Sequence, residues 1–77
     1  MQVMKIRFDK IKQIALEHLQ GSGYTAEDIN QWDVRAADYL IKKFADVMPT
    51  ALVNAKHYTA DYDYNGHWIV KTHNRQI

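Results

Sequence analysis

Asp61-Tyr62-Asp63-Tyr64-Asn65-Gly66-His67-Trp68 decides the fold. Asn-Gly is the strongest short-range hairpin signal, because both residues tolerate the positive φ that tight turns demand. Loop length then sets the register. A two-residue Asn65-Gly66 loop would place Asp63 opposite Trp68 and Asp61 opposite Val70, mixing charge with apolar surface. A three-residue loop with Gly66 in the left-handed region pairs Tyr62 with Trp68, Ala60 with Val70, and Tyr58 with Thr72. The other face then carries Asp63 with His67, Thr59 with Lys71, and His57 with His73. A one-residue slip moves every side chain to the other face, so the second register, with one clean apolar face, is expected. Tyr62 and Trp68 are expected to fill the core.

A lone hairpin is marginal in water. Its apolar face must pack on helices, gain a third strand, or pair in a dimer. Within Met1–Phe8, Met4, Ile6 and Phe8 alternate with Lys5 and Arg7, which fits a short strand as well as a first helical turn. From Asp9 the period becomes helical, with Ile11, Ile14, Ala15, His18 and Leu19 on one side. Gly21 stands where a C-cap glycine belongs, so a first helix is expected over residues 9–20.

Thr25 with Asp28 three residues later is a capping-box variant, flanked by Tyr24 and Ile29 as a hydrophobic staple. The stripe Ile29, Trp32, Ala36, Tyr39, Leu40, Phe44, Val47 predicts a second helix running to Pro49, with Asp33 as a possible break. Residues 50–56 fit either a short helix or the lead into a strand. The expected fold is α+β: two amphipathic helices packed on a C-terminal β-hairpin in a single domain over residues 1–77, with residues 1–8 either a short third strand (β-α-α-β-β) or the first turns of a helix.

Composition narrows the function. The 77 residues carry a net charge of +1, 47% hydrophobic and 25% charged side chains, and no cysteine. That balance is globular, offers no disulfide framework or thiolate zinc site, and creates no strong field toward nucleic acid or membrane. No apolar run approaches the length of a membrane span, and no signal-peptide core follows the first residues. A cytoplasmic location and no cofactor are expected.

Several segments resemble known motifs. Asp61-Tyr62-Asp63-Tyr64-Asn65-Gly66 resembles the first half of an EF-hand calcium loop, which makes Asp61, Asp63 and Asn65 candidate ligands. The twelfth position, which needs a bidentate acid, is Thr72, and ordinary turn chemistry also explains the acids before Gly66. Gly23–Ile29 resembles the start of a helix-turn-helix, but the helix that follows presents Asp33, Arg35, Asp38, Lys42 and Lys43, mixed in sign. Trp32–Leu40 resembles the last helix of a ubiquitin-associated domain, with Gly23-Tyr24 as its glycine-aromatic loop. The gap between those pieces is too short for that family's middle helix, so the family is not carried over.

His57 and His73 are cross-strand neighbours that could pair as acid and base or hold a metal. A solvated polar sheet face is the plainer reading. Ser22 and Gly23 form neither a nucleophile elbow nor a phosphate loop. The expected function is a small non-enzymatic accessory or regulatory protein, of bacterial or phage type, acting through a protein partner and able to form a homodimer. Asp61, Asp63, Tyr64 and His67 at the hairpin turn are the candidate contacts, with an exposed face of the second helix as the other candidate surface. The alternatives are a calcium loop at 61–66 and nucleic-acid binding through Lys5, Arg7, Lys10, Lys12, Lys71 and Arg75.

Overall fold

A computed structural model of the chain describes residues 4–73. Strand β1 (Lys5–Arg7) is followed directly by helix α1 (Phe8–Leu16). Helices α2 (Ala26–Asn30), α3 (Ala37–Lys43) and α4 (Thr50–Val53) come next, with 3₁₀ turns at Val34–Ala36 and Ala45–Val47. Strands β2 (His57–Tyr62) and β3 (Trp68–His73) follow. The sheet is antiparallel in the order β1-β3-β2.

The hairpin register is the expected one. Tyr62 faces Trp68, Ala60 faces Val70, Tyr58 faces Thr72, and His57 faces His73. Gly66 has φ +81°, and the Asp63 amide donates to the His67 carbonyl at 2.9 Å, closing a three-residue loop with a glycine bulge. The N-terminal segment is a strand, pairing Lys5 with Lys71, Ile6 with Val70, and Arg7 with Ile69.

The helical layer differs from the expected pair of helices. Helix α1 stops at Leu16 instead of reaching residue 20. The His18 ring Nδ1 lies 2.8 Å from the Ile14 carbonyl, where a helical amide would bond, and the His18 amide turns to Ala15 at 3.0 Å. The expected second helix is broken into α2 and α3. Asp33 adopts extended backbone (φ −104°, ψ −174°), and its carboxylate accepts the Arg35 amide at 2.9 Å. A residue that caps its own successors ends one helix and starts another.

The break also resets the helical phase. Ala37, Leu40, Ile41 and Phe44 turn inward, whereas Tyr39 and Val47, expected on the apolar stripe, are exposed. Met48 is extended before Pro49, as a residue preceding proline must be, and residues 50–53 take the helical option as α4.

Thr25 and Asp28 form the full capping box: the Thr25 hydroxyl accepts the Asp28 amide at 3.1 Å, and the Asp28 carboxylate accepts the Thr25 amide at 2.9 Å. Tyr24 stacks edge-on with Trp32 and Tyr39 in an aromatic triad.

One core joins the layers. Phe8, Ile11 and Ala15 meet Ile29, Leu40, Ile41, Leu52 and, from the sheet, Val70. Each fully buried aliphatic side chain contributes on the order of 1.5–3 kcal/mol, an upper bound for a chain whose unfolded state is already partly collapsed. Thr72 is also buried, and its hydroxyl accepts the Met4 amide at 2.9 Å, tying the start of β1 to β3.

Candidate functional site

The helices cover one face of the sheet. Period-two alternation puts Ile6, Val70 and Thr72 on that face and Lys5, Arg7, Ile69, Lys71, Thr59 and Asp61 on the other. Among the described residues the second face meets no helix, and it forms a groove of about 390 Å³. Lys5, Arg7 and Lys71 line it on the β1 and β3 side; Asp61 and Asp63 line it toward the hairpin turn. Ile69, Tyr62 and Tyr64 supply its apolar contact. Lys71 Nζ lies 3.9 Å from Asp61 Oδ2, which leaves Lys5 and Arg7 as the freer cations of the groove.

The tip of the hairpin extends past the helical layer. This corrects the expectation that Tyr62 and Trp68 fill the core: they are 59% and 40% exposed. They lie too near the turn for the helices to cover them, and their rings rest on each other at 4.3 Å between centroids. Tyr64, at the turn itself, is fully exposed.

Asp63 holds the turn. Its Oδ1 accepts the backbone amides of Asn65 and His67, both at 2.8 Å. The His67 amide above all, with the Asn65 amide and the nearby imidazole, keeps the Asp63 carboxyl below the usual carboxylate range. The His67 Nδ1 atom is buried 3.5 Å from Asp63 Oδ2 and makes no hydrogen bond among the described residues. Of the four candidate contacts, then, Asp63 and His67 build the loop, while Asp61 and Tyr64 face outward.

The calcium candidates are dispersed in role. Asp63 is committed to two backbone amides, Asp61 faces Lys71, and Asn65 is exposed at the turn. No group of three or more His, Cys, Asp or Glu side chains suited to a metal forms among the described residues. His57 and His73 are cross-strand neighbours as expected, and His73 Nε2 bonds to the Thr59 hydroxyl at 2.9 Å.

The terminal cations divide. Lys5, Arg7 and Lys71 converge on the groove. Lys12 turns away, donating to the Asn30 carbonyl at 3.0 Å with its ammonium over the Phe8 ring. Lys10 is exposed on α1, outside the groove lining, and Arg75 lies outside the described residues.

No family model, curated protein or solved structure matches this chain. No helix among the described residues is long and apolar enough to cross a membrane. Reading the sequence alone missed Ile69, the apolar centre of the groove. Its signal was present: Ile69 stands opposite Asp61 on the polar face of the chosen register, a large aliphatic with no buried partner to explain it.

Proposed function

We propose that this chain is a non-catalytic docking module, an accessory or regulatory protein that binds a protein partner through the open face of its sheet and the hairpin tip. The observation that carries this reading is the composition of the groove. Cations, carboxylates, an aliphatic centre and exposed tyrosines lie side by side on a surface left uncovered by the fold. Protein surfaces are mixed in the same way, and Tyr and Arg are the residues that most often anchor such contacts. A polyphosphate fits this surface less well, because Asp61 and Asp63 stand beside the three cations and repel it.

Binding without chemistry is supported at Ser22. Ser22 accepts the Tyr24 amide at 3.1 Å as a local turn, so its hydroxyl is used structurally.

The test compares wild type with Tyr64→Ala and Arg7→Glu as immobilised baits, with the thermal midpoint of each measured alongside. A partner held by wild type and weakened at least about tenfold by each substitution, at unchanged midpoint, is the expected result. Retention by all three baits alike overturns the reading. Oligonucleotide binding that falls steeply with salt would replace it with the nucleic-acid alternative.

A further inference from the structure

We propose that two copies of this chain pair through the outer edge of β2, antiparallel about a two-fold axis at Ala60, to make one continuous six-stranded sheet.

The hydrogen-bond pattern identifies the free groups. Asp63 bonds to His67 across the hairpin, so in the antiparallel ladder the odd-numbered residues of β2 point their backbone groups at β3. The Thr72 amide bonds to Met4, which confirms the alternation from the other side of β3. Tyr58, Ala60 and Tyr62 therefore aim their N–H and C=O groups outward, and no strand pairs with that edge among the described residues. An edge of this length is a template for another strand, and proteins that avoid such pairing place lysine, proline or a bulge there. His57–Tyr62 contains neither lysine nor proline, and its one charged side chain is Asp61.

The edge is complementary to itself. Antiparallel pairing centred on Ala60 sets Ala60 against Ala60, and Tyr58 against Tyr62 of the second copy. All of these are positions where both backbone groups face out, so each pair exchanges two hydrogen bonds. Tyr62, exposed in the single chain, gains an aromatic cross-strand neighbour on each side of the axis. On the other face Thr59 meets Asp61 of the second copy and His57 meets Asp63. No like charges oppose one another, and the same patch serves both copies, as a two-fold interface requires. The interface is narrow, below the roughly 1,200–2,000 Å² of standard stable complexes, so the association is concentration-dependent. Edge pairing needs no protein partner in the groove, and it sets two such grooves side by side on one face.

Ala60→Pro is the discriminating variant. Its N–H takes no part in the ladder to β3, so proline there removes only the outward donor. Sedimentation from micromolar to millimolar concentration should show wild type passing from monomer to dimer, and Ala60→Pro, folded by its amide spectrum, remaining monomeric. Tyr62→Lys, at an exposed position, should weaken the dimer in the same direction. Ala60→Cys adds a positive readout, because the chain has no cysteine of its own. Paired Cα atoms about 5.5 Å apart suit a disulfide, so oxidation should yield a covalent dimer at low concentration. A wild type that stays monomeric throughout overturns the proposal. So does a dimer indifferent to Ala60→Pro and Tyr62→Lys, or one that oxidation links through Ile69→Cys and not Ala60→Cys.

Discussion

The carboxylate of Asp63 accepts the backbone amide of His67 at 2.8 Å, across the three residues of the hairpin loop. The same oxygen takes the Asn65 amide, so one side chain satisfies two donors that the tight turn would otherwise leave open. One of the three candidate calcium ligands is therefore the keystone of its own loop. Asp63→Ala should lower the thermal midpoint more than Tyr64→Ala, which removes an exposed ring. Asp63→Asn, which keeps an acceptor oxygen, should fall between them. Calorimetric midpoints of the three variants check the order; equal midpoints for Asp63→Ala and wild type would show that the turn holds without its cap.

Acid should loosen the same turn. The folded-state carboxyls of Asp63 and Asp33 are both held below the ordinary value, Asp63 chiefly by the His67 amide and Asp33 chiefly by the Arg35 side chain. A depressed folded value means stability that is present above the unfolded value of about 3.9 and lost as pH falls through the folded value. Midpoints should therefore hold from neutrality to about pH 5 and then drop as pH falls below about 4. In Asp63→Asn the drop should be shallower. A slope unchanged by that substitution would place the acid sensitivity elsewhere.

Thr72→Val tests the tie between the sheet's first and last strands. The Thr72 hydroxyl is buried, accepts the Met4 amide, and lies 3.4 Å from the Met4 carbonyl as donor. Valine keeps the shape and removes the acceptor, leaving a partly buried amide unmet at a cost of about 1–3 kcal/mol. The loss should appear in chemical denaturation as a lower midpoint with unchanged slope, and in hydrogen exchange as reduced protection at Met4. Full protection at Met4 in the variant would assign β1 to packing alone.

What the sequence reveals depends on how far apart the interacting residues lie. The hairpin register was legible because the turn residues and the alternation on both arms are local and agree with each other. The capping box was legible for the same reason, since Thr25 and Asp28 satisfy one another across a single helical turn. The phase of α3 was not, because one side-chain bond at Asp33 shifts which residues face the core, and a stripe drawn through the break misplaces Tyr39 and Val47. The groove was half legible. Asp61 and Tyr64 announce themselves at the turn, and Lys5, Arg7 and Lys71 are grouped by charge in the nucleic-acid reading, but the β1–β3 pairing that brings those cations together spans most of the chain. A strand of three residues carries too little alternation to predict that partner.

Thr25→Ala measures how much the broken helical layer leans on its caps. Helix α2 has only five residues, too few to persist by intrinsic propensity. It is held by Ile29, which is fully buried, and by the reciprocal Thr25–Asp28 bonds. Removing the hydroxyl deletes one of those bonds and should cost about 1 kcal/mol. In a domain of this size that corresponds to a fall of about 4–8 °C in Tm. The aromatic triad gives a local reporter, because Tyr24 precedes the cap and packs on Trp32. If the cap positions that ring, Trp32 emission, read in a Trp68→Phe background, should shift to the red in the variant before global unfolding begins. A midpoint that falls with no early change at Trp32 would mean that Tyr24 is placed by Tyr39 and the core, and that the cap serves α2 alone.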